Sequence, residues 1–278
     1  MHAAAPSAAP DGDRIVTPPL LLLGAQRSGT TALASKLSEA YGRAGGTFTV
    51  NGKLLYLLRR WCKDEDIAGR HLRADEILHA LDRRPAAGAG AEGWAGCVEV
   101  ALRSAAAEVA AGWKGSAVDL VRRILAESYG SGEWGNKYNE TLLDLPWVHA
   151  LYPRARYLLV IRHPVEVAAS MLAWRGDRPW RPRNAAAVYD KWTAWHQPWL
   201  RIVGELAPEN WLVVDYEGLC GGRLDDAVRS FVGLDLGALE FRRRRALPPH
   251  DRLPLAAALT WRRLGDLRLA RQAIPQGG

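Results

Sequence analysis

Sulfur is scarce in this chain: 278 residues hold 3 Cys and 2 Met. Cys62, Cys97 and Cys220 form no C-x-x-C pair and leave an odd count. Neither a disulfide framework nor a cysteine zinc site is therefore expected, and no metal is implied. Long apolar runs are missing as well. The run Leu20-Leu-Leu-Leu23 is far too short to cross a bilayer. Residues 1–13 are rich in Ala and Pro, acidic near their end and without an apolar core, so they do not read as a secretory signal. A cytoplasmic location is the expectation. No internal repeat and no nucleic-acid-binding module is visible.

What is present supports a sizeable core. Hydrophobic residues make up 48% of the chain, and 12 of them are Trp. The net charge is +7, from 37 Lys and Arg against 30 Asp and Glu. Such a balance suits an anionic small-molecule ligand. The densest basic run, Arg242-Arg-Arg-Arg245, has the character of a solvated face.

The most informative stretch is Leu20-Leu-Leu-Leu-Gly24-Ala-Gln-Arg27-Ser28-Gly29-Thr30-Thr31. A short apolar run stops at a glycine, a Gly-containing turn follows, and Leu33 and Leu37 then recur at helical spacing. A strand, a tight turn and a helix N-terminus in succession form an anion cradle, because backbone N–H groups and the helix dipole converge there. Gly24 and Gly29 have the spacing of a G-x-x-x-x-G-K-[ST] loop, but Thr30 stands where the lysine belongs. The only cation is inside the loop, at Arg27. The loop can hold one phosphate and lacks the usual device for a triphosphate.

A second anion site lies far along the chain. Arg156-Tyr-Leu-Leu-Val-Ile-Arg162 reads as a buried parallel strand, and Pro164 suits the first turn of the helix after it. Arg162 and Ser170 then form R-x-P-x-x-x-x-x-S at a strand's C-terminal edge, where open α/β sheets bind ligands. A 5′-phosphate site plus a separate phosphate site suggests 3′-phosphoadenosine 5′-phosphosulfate (PAPS).

These residues resemble those of PAPS-dependent sulfotransferases of the bacterial, cytoplasmic type. Gly24 to Thr31 is similar to their 5′-phosphosulfate loop and Arg162 to Ser170 to their 3′-phosphate motif. Gly135-Asn-Lys137 is similar to an "N-K" strand end, and Val213-Val-Asp-Tyr216-Glu217-Gly-Leu219 to a later "Y-E-x-L" strand end. The motifs follow in family order over residues 18–220. The resemblance implies sulfuryl transfer from PAPS to a hydroxyl of a small-molecule acceptor by in-line displacement. It places Arg27 on the bridging oxygen, Lys137 on the sulfuryl group, and Gln26, Ser28, Gly29, Thr30 and Thr31 around the 5′-phosphate. Arg162 and Ser170 would hold the 3′-phosphate. Tyr216 would stack on or hydrogen-bond the nucleotide, or simply end a buried strand.

The general base is less defined. Many such enzymes carry a carboxylate at the end of the second strand, but Thr47-Phe-Thr-Val-Asn51-Gly-Lys53 contains none. His71 and Glu140 are the candidates, with Glu99 behind them; Lys53 can orient substrate or serve as a base only with a strongly depressed pKa. Two other classes stay open: a P-loop-type kinase or NTPase, and a non-catalytic nucleotide-binding protein.

The expected architecture is a P-loop-like three-layer α/β fold, a central parallel sheet flanked by helices. Residues 1–16 are expected to be a disordered tail, and residues 17–278 a single domain with helical insertions. Strands are expected at residues 18–23, 47–51, 134–137, 156–161 and 211–215. Helices are expected at 29–41, 53–61, 98–111, 117–129, 140–151, 165–174 and 185–206, with an Ala/Gly/Pro-rich loop at 84–96. Trp192, Trp195 and Trp199 share one helix face, as core residues do. Residues 175–184, which include Trp180, have no helical period and suit a lid or acceptor loop; an aromatic wall there would favour an aromatic or lipophilic alcohol.

Overall fold

The computed structural model describes residues 18–176, 181–239, 241 and 253–272. The expected tail at 1–16, Trp180 and the Arg242–Arg245 run lie outside the described residues. The strands are β1 (Leu20–Leu23), β2 (Thr47–Val50), β3 (Trp134–Lys137), β4 (Arg156–Ile161) and β5 (Trp211–Asp215). They pair in parallel in the order β2-β3-β1-β4-β5. The helices are α1 (Thr30–Arg43), α2 (Leu54–Trp61), α3 (Asp64–Ala68), α4 (Ala74–Asp82), α5 (Ala91–Ala111) and α6 (Ala117–Tyr129). They continue with α7 (Leu145–Leu151), α8 (Pro164–Leu172), α9 (Ala185–Ile202), α10 (Tyr216–Cys220), α11 (Asp225–Val232) and α12 (Leu255–Gln272).

Alternation along the strands divides the core into two layers. Leu20, Leu22, Leu158, Val160, Leu212 and Val214 pack with Leu33 and Leu37 of α1 and Val228 of α11. Leu21, Leu23, Tyr157, Leu159, Ile161 and Val213 face the other way, onto α5, α6, α8 and α9. Because both faces are covered, β1, β4 and β5 carry nearly unbroken apolar runs, whereas β3 buries Asn136 and Lys137. The chain leaves β1 on the α1 side toward β2, and leaves β4 on the opposite side through α8 and α9. Two adjacent parallel strands whose connections diverge in this way open a crevice at their C-terminal ends. Trp192, Trp195 and Trp199 are buried as their spacing predicts.

Three segments depart from the sequence reading. The Ala/Gly-rich stretch at 84–96 is not all loop: α5 already begins at Ala91, launched from left-handed Gly90 (φ 75°) and anchored by buried Trp94. Alanine's helix propensity outweighs the glycines once Trp94 has a core to enter. The segment at 140–151 is broken into a 3₁₀ turn (Asn139–Leu142) and α7, with Pro146 in the first turn of α7. Proline supplies no N–H and is tolerated there, not in a helix interior. The unassigned stretches at 62–83 and beyond 216 yield α3, α4 and α10 to α12.

One buried titratable group sets an acid limit on this core. His196 on α9 is fully buried; its Nδ1–H donates to Trp192 O at 2.7 Å, and its Nε2 has no hydrogen-bond partner among the described residues. Burial pushes its pKa down to about 4, only partly opposed by that bond. The unfolded chain therefore binds this proton below about pH 6.5, while the folded chain refuses it until about pH 4. The contribution is complete above pH 6.5 and is lost as pH falls toward 4, on the order of 3 kcal/mol in all. Urea unfolding between pH 4 and 8 should show this acid slope, and His196→Gln, which keeps a donor but cannot titrate, should flatten it. Equal slopes in both proteins would contradict the assignment.

Candidate functional site

The turn from β1 into α1 is left-handed at two points, Arg27 (φ 70°) and Gly29 (φ 92°). Gly29 can adopt that conformation without steric cost, and it also has no room for a side chain: a Cβ would run into the Tyr216 ring. Arg27 has no such freedom and is held by its surroundings. Its Nε–H donates to Ser170 Oγ at 3.1 Å, and its carbonyl accepts from Arg162 Nη1 at 3.2 Å. The two anion motifs, 135 residues apart, are thus cross-locked at the C-terminal ends of adjacent strands. Arg162 is further fixed by Glu166 at 2.9 Å, and its guanidinium lies 4.4 Å from the Tyr216 ring centroid. No side chain caps the N-terminus of α1, and its first turn carries no acid. That end faces an open cleft of about 830 Å³, and Gly29, Thr30, Thr31 and Ala32 line it beside Arg27, Arg162, Ser170 and Tyr216. An uncapped helix N-terminus between two arginines is a fit for phosphate groups.

Across the cleft, Glu140 projects from the 3₁₀ turn after β3. Gln26 Nε2 donates to Glu140 Oε1 at 3.3 Å, and Lys191 Nζ of α9 donates to Gln26 Oε1 at 3.1 Å. The loop side chain therefore connects Glu140 to a lysine 165 residues further along the chain than Gln26. Burial lowers the Lys191 pKa, and Glu140 nearby opposes the shift. Asn139 Nδ2 donates to Gly24 O at 2.7 Å and reaches Thr30 Oγ1 at 3.4 Å, pinning the entrance of the loop to the β3 turn.

Lys137 ends β3 and is buried, and it reaches the cleft through Asn51. Its ammonium donates to Asn51 Oδ1 at 3.0 Å, and Asn51, itself left-handed (φ 62°), does line the cleft. Burial drives the Lys137 pKa down to about 8, and Glu140 opposes that shift. Asn136, one residue earlier, turns its buried amide to Thr49 Oγ1 (2.9 Å) and Gly52 O (2.6 Å), which fixes the turn that presents Asn51.

The structure brings Gln26, Arg27, Gly29, Thr30, Thr31, Arg162, Ser170, Tyr216 and Glu140 to one cleft. Ser28 is close in sequence only: its hydroxyl is buried, has no partner among the described residues, and does not line the cleft. His71 is exposed in the connection between α3 and α4 and is not among the cleft residues. Glu99 is exposed on α5 and paired with Arg103 at 3.0 Å. Lys53 donates to Ala80 O at 2.6 Å, which directs its ammonium to the end of α4. Asn139, Lys191, Tyr56, Tyr138 and Arg84 were not singled out by sequence. Only Asn139 carried a usable signal, being two residues past the Asn-Lys pair.

An α/β crevice with an uncapped helix N-terminus and two arginines has the chemistry to hold phosphate groups. The sulfotransferase family model matches residues 18–223, and the chain belongs to that family. The fold is shared with the sulfotransferase domain of the olefin synthase of Synechococcus PCC 7002, at 16% identity, a TM-score of 0.58, and coverage of 90% of this chain and 94% of that one. It is shared also with the sulfotransferase domain from the curacin biosynthetic pathway, at 16% identity, a TM-score of 0.50, and coverage of 79% and 75%. No curated protein matches the sequence.

The buried ammonium of Lys137 carries a consequence for ligand binding. An anion entering beside it raises its pKa back toward the ordinary lysine value, so binding must draw a proton from solution near pH 8. Calorimetry with 3′-phosphoadenosine 5′-phosphate at pH 8, in buffers of different ionisation enthalpy, should show uptake of up to about half a proton. Uptake should fade by pH 6 and be reduced in Lys137→Met. Identical proton counts in the variant and the wild type would remove Lys137 from the anion site.

Proposed function

We propose that this sulfotransferase takes its sulfuryl group from PAPS and passes it, by in-line displacement, to a hydroxyl of a small-molecule acceptor. The observation that carries the reading is the cross-lock of Arg27 with Ser170 and Arg162 beside the uncapped end of α1. It supports two phosphate sites at a fixed separation, as a 3′,5′-bisphosphate nucleotide requires. The 5′-phosphate would lie on the N–H groups of Gly29 to Thr31, with Arg27 beside it, and the 3′-phosphate between Arg162 and Ser170. Tyr216, wedged between Gly29 and Arg162, would hold both motifs apart at the right width and offer an edge to the nucleoside.

In the transfer the acceptor oxygen attacks sulfur, the bond from sulfur to the 5′-phosphate oxygen breaks, and the bisphosphate departs. The acceptor's proton passes to the Glu140 carboxylate. Gln26, held from behind by Lys191, keeps that carboxylate aimed across the cleft. Arg27 and the α1 N-terminus stabilise charge growing on the leaving phosphate, and Lys137 with Asn51 offsets charge on the moving sulfuryl oxygens. A cytoplasmic location belongs to this reading, because Cys62, Cys97 and Cys220 have no C-x-x-C spacing.

Glu140→Gln tests the assignment. The amide can still accept from Gln26 but cannot take the proton. Conversion of PAPS to bisphosphate in the presence of a phenolic or alcoholic acceptor should fall about 100-fold or more in kcat. Affinity for 3′-phosphoadenosine 5′-phosphate should stay within about twofold, because the nucleotide end is untouched. Loss of less than about fivefold in kcat would place the base elsewhere.

A further inference from the structure

The two ends of the cleft differ in charge. Arg27 and Arg162 occupy the nucleotide end and are engaged there, by Ser170 and Glu166. At the other end, beyond Asn51, the wall is Tyr56, Tyr138 and Arg84, with the two tyrosine rings tilted together at 5.4 Å. Glu140 is the one carboxylate among the described lining residues, and it is hydrogen-bonded to Gln26 of the loop.

Arg84 is exposed but not loosely placed. It leaves the last turn of α4, with its N–H on Leu81 O at 3.1 Å. Three residues later the chain is bolted to the C-terminal end of β2, where Val50 and Ala87 exchange both backbone hydrogen bonds at 2.9 and 2.8 Å. The guanidinium therefore starts from backbone fixed at both sides and stands at the cleft mouth. Among the described residues no carboxylate pairs with Arg84, with its neighbour Arg83, or with Lys53. The Lys53 pKa is lowered first by burial and then by Arg84 and Arg83, which reports three cations crowded together without an acid to offset them. Like charges held together in this way lower one another's stability and are relieved when an anion arrives.

We infer that the acceptor is a hydroxyl compound that also bears an oxyanion, a carboxylate or phosphate, which Arg84 receives at the mouth while Tyr56 and Tyr138 flank the body of the molecule and its hydroxyl reaches Glu140. This rests on the sulfotransfer reading of the cleft and narrows the acceptor from any alcohol to an anionic one. Tyr138 supplies the link between the two points: its hydroxyl is within reach of Glu140, and its ring lies within the field of Arg84.

The test uses the full chain saturated with 3′-phosphoadenosine 5′-phosphate. The probes are 4-hydroxyphenylacetate, 3-(4-hydroxyphenyl)propionate and 4-(4-hydroxyphenyl)butyrate, each beside its neutral amide. At least one acid should bind about fivefold or more tightly than its amide by calorimetry, as one solvent-exposed ion pair allows. The preference should shrink in high salt and disappear in Arg84→Gln. Where a probe is turned over, kcat/KM should follow the same order. Absence of acid-selective binding across the series, or selectivity that survives Arg84→Gln, overturns the inference. The bisphosphate titration that precedes each experiment separates this outcome from failure of the parent reading: a chain that does not bind the bisphosphate fails there, before any acceptor is added.

Discussion

Everything at the α1 end of the cleft depends on holding one non-glycine residue, Arg27, in the left-handed region. That conformation costs on the order of 1–3 kcal/mol and persists only where neighbours over-determine it. Here the neighbours are Ser170 on its side chain, Arg162 on its carbonyl, and the Tyr216 ring against Gly29 two residues later. Charged hydrogen bonds contribute about 1.5–3 kcal/mol each, so one is comparable to the strain and two exceed it. The strained turn carries the chain from β1 into the uncapped N-terminus of α1. The residues that relieve the strain come from the turn after β4, from α8 and from α10. The cradle therefore exists only once β1, β4 and β5 are in register, and folding assembles the ligand site as a consequence of sheet formation.

The opposite wall uses the same logic with different chemistry. Asn51 is the second left-handed non-glycine residue at the site, a conformation asparagine tolerates better than most. Behind it Asn136, Thr49 and Tyr129 form a buried polar cluster, with Thr49 Oγ1 and Tyr129 OH 2.9 Å apart. The Asn136 amide nitrogen, Thr49 and Tyr129 are paired within it, while Asn136 Oδ1 has no hydrogen-bond partner among the described residues. The cluster sets the position of Asn51 and, through Asn51, that of the Lys137 ammonium. The C-terminal part of the chain completes the frame: Arg268 of α12 pairs with Asp215, which caps α10, and Trp261 meets His163 edge-on at 5.1 Å. Both contacts brace residues adjacent to Arg162 and Tyr216.

The sequence is most legible where one physical rule dominates. β4 and β5 fall at the expected residues because strands buried on both faces must be short apolar runs, and β3 because its Asn136-Lys137 end resembles a family strand end. The Gly24 to Thr31 turn and the Arg162–Ser170 spacing are legible because local geometry and ligand chemistry coincide there. The reading treats them as two separate sites, whereas Arg27 and Arg162 interlock, a relation between strands that no local pattern encodes. Lys191 meets Gln26 only because of how α9 is rotated, and Arg84 reaches the mouth only because Ala87 bridges to Val50. His71 illustrates the converse: imidazole chemistry suits a base, but its position on an exposed connection is set by α3 and α4, two helices with weak sequence signals.

The central claim is that Arg27 and Arg162 hold two phosphates of one nucleotide at once. Calorimetric titration with 3′-phosphoadenosine 5′-phosphate, AMP and Mg-ATP, on wild type and Arg162→Ala, tests it most directly. The account predicts tight binding of the bisphosphate, weak binding of AMP and ATP, and an Arg162→Ala protein that no longer distinguishes the bisphosphate from AMP. Preference for Mg-ATP, or equal affinity for AMP and the bisphosphate in the wild type, would contradict it.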